Sequence, residues 1–306
     1  VKTADELIHN YLNELKVALR GADRATVQDA LADAEEHLRT ALESRREESE
    51  GLEESAATQE IINAYGEPAE IAAAYKQWEK ALPPALEKTP AARRAEGLNG
   101  RTYPGFFGVY ADPRAWGGLV YMLISLITGT LYFSWAVTGL STSLGVMVLV
   151  IGIPVTILFL LSFRGLAFLE GRLVEALLGE RMPRRASFTD SSLSWIERLK
   201  QLLTGKATWL SWIYLMLMLP LGIIYFTLAV SLISVALALV ATPILAYVFH
   251  LPVGTFSNGE VIWYLPDYLT PLLAALGVLL ATGTMHLARW LGGVHGKFAK
   301  ALLVSD

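Results

Sequence analysis

The chain has 306 residues, 53% of them hydrophobic and 18% charged, with a formal net charge of −4 and no cysteine. Without cysteine there is no disulfide framework, thiolate metal site or thiol nucleophile. Charge is unevenly spread: residues 1–82 hold 18 Asp+Glu against 9 Lys+Arg, and residues 83–306 hold 11 against 16, so an acidic, soluble-looking part is joined to a basic, apolar one.

Residues 1–82 read as an all-helical bundle. Thr3 and Glu6 have capping-box spacing, followed by Leu7, Tyr11, Leu12, Leu15 and Leu19 at helical intervals. Asp23 is placed to cap a second helix with Val27, Leu31, Ala34, Leu38 and Leu42 on one stripe, and residues 45–54 are too polar to bury. Ser55 is the expected cap of a third helix carrying Ile61, Ile62 and Tyr65. Gly66 is placed to end it with positive φ, and Pro68 to begin a fourth at its first position, with Glu70 in the first turn. Gly66, Pro68 and Glu70 thus form a candidate hinge. Val1 to Asn10 lack the apolar stretch of a cleavable signal, so the amino terminus is expected in the cytoplasm.

The order of Tyr11, Leu12, Glu14 and Leu15, the acidic run Ala34-Glu35-Glu36-His37-Leu38, and Gly66-Glu67-Pro68-Ala69-Glu70-Ile71-Ala72 resembles the HAAS domain. That resemblance implies a helical signalling or interaction module of bacteria, often encoded beside PadR-type regulators, and no catalysis.

Residues 83–113, punctuated by Pro83, Pro84, Pro90, Gly97, Gly100, Pro104, Gly105 and Pro113, read as a linker, with Tyr103, Phe106, Phe107 and Tyr110 as interfacial anchors. An internal repeat follows. Trp116, Tyr121, Gly129, Tyr132, Phe133, Ala136 and Val137 return 93 positions later as Trp209, Tyr214, Gly222, Tyr225, Phe226, Ala229 and Val230. Each copy is apolar, uncharged and long enough to span a bilayer. The membrane half is therefore expected as two tandem repeats, residues 114–206 and 207–306.

The expected elements are a span over 116–137, a turn over 138–143, a second span over 144–163, and amphipathic surface helices near 166–178 and 193–203. Leu166, Leu169, Leu173 and Leu177 form the apolar stripe of the first of these, with Arg164, Glu170, Arg172 and Glu175 elsewhere. A third span begins at Trp209, and residues 231–250 are re-entrant, interfacial or an extension of it. A fourth span covers about 268–287. Arg164, Arg172 and Ala176 recur 125 positions later as Arg289, Lys297 and Ala301, so the carboxyl-terminal helix is the expected partner of the first amphipathic one. Lys and Arg crowd residues 164–206 and are missing from 138–143 and 251–266, which puts the first region inside and the other two outside.

The repeated blocks, with Gly152-Ile153-Pro154 and Ala207-Thr208-Trp209, are similar to the Putative sensor family of multi-pass membrane domains found in front of bacterial histidine kinases. No kinase sequence follows, so phosphotransfer is not expected. The uncharged spans offer no intramembrane acid or base, and no phosphate-binding loop, HExxH or GxSxG sequence occurs.

These readings converge on an all-α, non-enzymatic sensor of the bacterial inner membrane with both termini cytoplasmic. It needs no cofactor or metal and makes no direct nucleic-acid contact. Its partners are membrane lipids and a cytoplasmic protein, by resemblance a PadR-type regulator, with Gly292 and Gly296 at the spacing of a homodimer contact. The alternative is an accessory or scaffold subunit of another membrane protein such as a transporter. Gly129, Tyr132, Phe133, Gly222, Tyr225 and Phe226 are the candidate ligand or packing pocket. A weaker outer site would gather His250, Glu260 and Asp267.

Overall fold

The computed structural model describes residues 3–48, 53–82, 84, 86, 105–146, 152–184, 200, 204–257 and 262–304. Eight α-helices stand among them: α1 Ala4–Ala18, α2 Arg24–Glu48, α3 Glu54–Tyr65, α4 Pro68–Ala81, α5 Pro113–Val146, α6 Gly152–Leu178, α7 Lys206–Tyr247 and α8 Thr270–Leu303. A two-stranded hairpin, Thr255–Ser257 with Ile262–Tyr264, precedes α8. The chain forms two compact units, one of residues 1–99, 136–214 and 297–306, the other of residues 100–135 and 215–296.

In the first unit α1–α4 make the expected bundle. The Thr3–Glu6 capping box forms in both directions. Asp23 caps α2 by accepting from the Ala25 N–H at 2.9 Å. Ile8, Tyr11, Leu15 and Leu19 of the α1 segment pack with Ala30, Ala34, Leu38 and Leu42 of α2, each large side chain contributing about 1.5–3 kcal/mol by leaving water. Gly66 has φ +112°, which disfavours any side chain, and its carbonyl accepts from the Tyr11 hydroxyl at 2.9 Å. Pro68 starts α4, where its missing N–H is harmless. One expectation fails here: α3 starts before Ser55, and its N-cap, Glu53, makes no side-chain cap.

The four long helices depart from the expected boundaries. α5 runs unbroken through 138–143, because glycine, serine and threonine are only mildly unfavourable in a helix, no proline intervenes, and apolar surroundings leave the backbone no other partners. The stretch near 166–178 is no separate surface helix but the end of α6. Residues 231–247 extend the third helix, so the re-entrant and interfacial alternatives fall; α7 is continuous over 42 residues despite Pro220 and Pro243. The carboxyl-terminal helix likewise continues the fourth span. The amphipathic piece near 193–203 lies almost wholly outside the described residues.

Each of the four is long and apolar enough to cross a membrane, and only 17% to 33% of its most apolar stretch is buried. The leucine stripe of α6 is not its buried face: Leu166, Leu173 and Leu177 are half-buried and Leu169 is 61% exposed, whereas Phe163, Ala167, Glu170, Gly171 and Val174 are buried. In a soluble helix leucines would pack inward; a lipid-facing helix inverts the rule, burying small and polar residues.

Candidate functional site

Two features of the chain carry polar geometry that a packed apolar bundle does not require. The first is a basic clamp on the helical module, within the first unit. After α6, Gly179 turns the chain with φ +73°, and residues 179–184 fold back on the helix. Met182 packs on Gly171, and Arg172 donates to the Met182 and Pro183 carbonyls. From this strap Arg181 donates to the Glu79 and Leu82 carbonyls at the end of α4. The Arg184 backbone N–H donates to Asp29 at 2.7 Å, and its guanidinium lies 5.8 Å from the Trp78 ring centre.

The end of α8 supplies the other jaw. Lys300 Nζ lies 2.5 Å from Asp23 Oδ2 and 3.9 Å from Glu180, with only 16% of its side chain exposed. Arg24 of the module donates back to the Val304 carbonyl at 3.1 Å. The acidic module and the basic remainder, whose opposite charges are visible in composition, meet here, and the sheltered Lys300–Asp23 pair is the contact least screened by solvent.

The second feature is a pair of buried tyrosine contacts at matched positions. Gly118, Tyr121, Met122, Ser125, Gly129, Tyr132 and Ala136 are the buried positions of α5 over that stretch. Their counterparts 93 residues on, Ser211, Tyr214, Leu215, Met218, Gly222, Tyr225 and Ala229, are buried in α7. In the second unit the two helices cross reciprocally. A Cβ on Gly129 would collide with the Met218 carbonyl, and one on Gly222 with the Ser125 carbonyl. Each glycine thus meets the carbonyl four positions before the other, so the two helices use equivalent atoms at the crossing. Small residues permit this close approach of backbones. Further along α7, the Thr242 hydroxyl lies 3.2 Å from the Thr270 carbonyl at the start of α8.

Tyr121 and Tyr225 both reach His295 of α8. The Tyr121 hydroxyl lies 2.6 Å from Nε2 and the Tyr225 hydroxyl 3.2 Å from Nδ1, so one tyrosine donates and the other accepts. In the first unit the Tyr214 hydroxyl donates to Glu170 Oε1 at 3.0 Å, both residues being fully buried. Glu170 and His295 stand 125 positions apart, at the same offset that relates Arg164 to Arg289. Two tyrosines 93 positions apart, Tyr121 and Tyr214, therefore each meet one of two ionisable residues 125 positions apart.

Of the six candidate pocket residues, Gly129 and Gly222 mark the helix crossing and Tyr225 joins His295. Tyr132 is buried, and Phe133 and Phe226 are half-buried. The apolar cavity of the membrane half is lined by other residues. In the module, Gly66 and Pro68 end one helix and begin the next, while the Glu70 side chain is exposed. Gly292 and Gly296 are buried within the chain. Glu260 of the weaker outer site lies outside the described residues, and among those described no three His, Asp or Glu gather as for a metal.

Helical periodicity assigns Glu170 to a polar face and gives no role to His295. The signal is present in the 125-residue offset, which pairs these two positions once the first offset has paired the tyrosines.

An interaction-type helical module clamped to the basic ends of long apolar helices defines a membrane protein of the sensing and signalling class. The chain belongs to the family described as Putative sensor, whose model matches residues 121–303, and a HAAS model matches residues 10–74. No curated protein and no solved structure is matched by the chain.

Proposed function

We propose that the protein is a non-enzymatic sensor of the bacterial inner membrane whose output is the release of its helical module. The observation that carries this reading is the clamp: Lys300 on Asp23, Arg181 on the end of α4, and Arg184 on Asp29 and Trp78 tie the module directly to the ends of α6 and α8. A change in how those helices pack alters the clamp, and loosening it frees an acidic and aromatic face for a cytoplasmic protein. In this reading the module and both basic helix ends face the cytoplasm, as the Lys and Arg of residues 164–206 favour. The recipient is a regulator of the PadR type, which the resemblance of the module implies. The tandem repeats, related by 93 and 125 positions, supply two similar faces whose packing can shift.

The test is crosslinking in the native host followed by mass spectrometry, with the Lys300→Glu and Lys300→Arg variants beside the unaltered chain. Capture of a cytoplasmic regulator is expected to rise with Lys300→Glu and to stay at its original level with Lys300→Arg. An integral membrane partner captured equally by all three chains, with no cytoplasmic one, would instead make this an accessory subunit. The chain has no cysteine, so single cysteines introduced at Glu43 and Tyr268 report sidedness to a membrane-impermeant maleimide. Labelling from outside is expected at position 268 and not at 43.

A further inference from the structure

The first unit contains a cavity of about 160 Å³ between the end of α5, the first half of α6 and the start of α7, with no polar surface on its wall. Leu140, Leu144, Phe159, Leu160, Trp209 and Trp212 line it. Ser143 and Thr156 also contribute, the Thr156 hydroxyl being spent on the Gly152 carbonyl at 2.8 Å. Water needs two to four polar partners and finds none on such a wall, whereas an apolar cavity of about 150 Å³ takes a ring the size of benzene. The space therefore suits about six carbons of hydrocarbon. Leu144, 63% exposed, and Trp209, 47% exposed, belong both to the cavity wall and to the outer surface of apolar helices. The way in is thus from the side on which lipid lies.

A cation adjoins this apolar space. The Arg164 guanidinium stands 3.5 Å from the hydroxyl of Thr208, another wall residue. A guanidinium has five donors in a planar fork and engages more than one acceptor at once. Hydrocarbon joined to an anionic group is the chemistry of a phospholipid, abundant at a membrane. We propose that the cavity binds one acyl chain of a membrane phospholipid, with the phosphate beside Arg164. The site is independent of the signalling reading, since binding stands or falls without any output from the module.

The test uses the full chain in nanodiscs of phosphatidylethanolamine and phosphatidylglycerol, doped with a phosphatidylglycerol that carries a diazirine in its acyl tail. Crosslinks are mapped by peptide mass spectrometry. Labelling is expected to concentrate on residues 140–144, 156–163 and 208–212 and to saturate at one lipid per chain. Ser143→Leu and Thr156→Leu fill the cavity from two different helices, and either should lower that labelling at least about fivefold, because a filled site has no room for the chain. Arg164→Gln keeps the wall and removes the charge; it should raise the lipid's dissociation rate at least about fivefold, the worth of one hydrogen bond. Its effect remains readable if a filling variant fails to fold. Labelling spread over all lipid-facing segments and unchanged in these variants would overturn the proposal. So would preferential labelling of the same residues by a diazirine-tailed free fatty acid.

Discussion

Replacing Gly129 by alanine tests the helix crossing most directly. The added Cβ meets the backbone carbonyl of Met218, which cannot swing aside as a side chain end would, so α5 and α7 must separate. Forcing a carbon into such a contact costs about 1–3 kcal/mol, and the obstruction by backbone places this site at the upper end. Alanine returns about 1 kcal/mol through its higher helix propensity, leaving a net loss of about 1–2 kcal/mol. Gly283, in the interior of α8, has open space where its Cβ would stand, so Gly283→Ala should gain up to about 1 kcal/mol from the same propensity term. The two variants should therefore differ by about 2–3 kcal/mol. Gly222→Ala pushes against Ser125 at the same crossing, and once one alanine has moved the helices apart the second has less to displace. The double variant should lose clearly less than the sum of the singles, a coupling of about 1 kcal/mol. The assay is unfolding of the full chain by dodecyl sulfate titrated into lipid–detergent micelles, followed by near-ultraviolet circular dichroism. Equal stabilities for Gly129→Ala and Gly283→Ala, or strict additivity of Gly129→Ala with Gly222→Ala, would refute the crossing.

Gly66→Ala must place a side chain at φ +112° and should destabilise the module by about 1–3 kcal/mol, seen as an earlier loss of its helical signal on denaturation. Burial, together with Tyr65 and Glu14, pushes the Tyr11 hydroxyl from 10.0 up to about 12. The folded state then holds this proton more tightly than the unfolded one, so module stability should be flat below pH 10 and fall as pH rises toward 12. Tyr11→Phe should remove that alkaline fall, checked by denaturation across the same pH range. Glu170→Gln keeps an acceptor for the Tyr214 hydroxyl and should be nearly neutral, whereas Glu170→Leu removes the acceptor of a buried hydroxyl and should lose about 1–3 kcal/mol. His295→Leu removes the partner that Tyr121 and Tyr225 share, and in a double-mutant cycle its loss should couple to Tyr121→Phe by about 1 kcal/mol or more.

Much of the module is legible because its signals are local. Thr3 with Glu6, Asp23, Gly66 and Pro68 act on backbone groups within a few residues, so their roles can be read without knowing what packs against them. Ser55 misleads for the complementary reason: a cap works only where the helix happens to start, and the N-cap of α3 stands two residues earlier, at Glu53. In the membrane half, apolar length identifies the four long helices, yet their ends do not show. A turn over 138–143 and a surface helix near 166–178 rest on polar residues that a continuous helix carries without difficulty.

By itself the sequence determined the division into an acidic module and a basic apolar half, the helical class of both, and the recurrence of residues at offsets of 93 and 125 positions. These follow from composition and periodicity, which are properties of the chain alone. Only the tertiary structure decided that the leucine stripe of α6 is not its buried face and that Glu170 and His295 face inward to tyrosines. It also decided that Gly129 and Gly222 each press on the other's helix, and that Lys300 and Arg181 hold the module. A hydrophobic stripe shows that a helix has two faces. Which face is buried depends on the solvent and on the partner helix, and neither is written in the local spacing of residues.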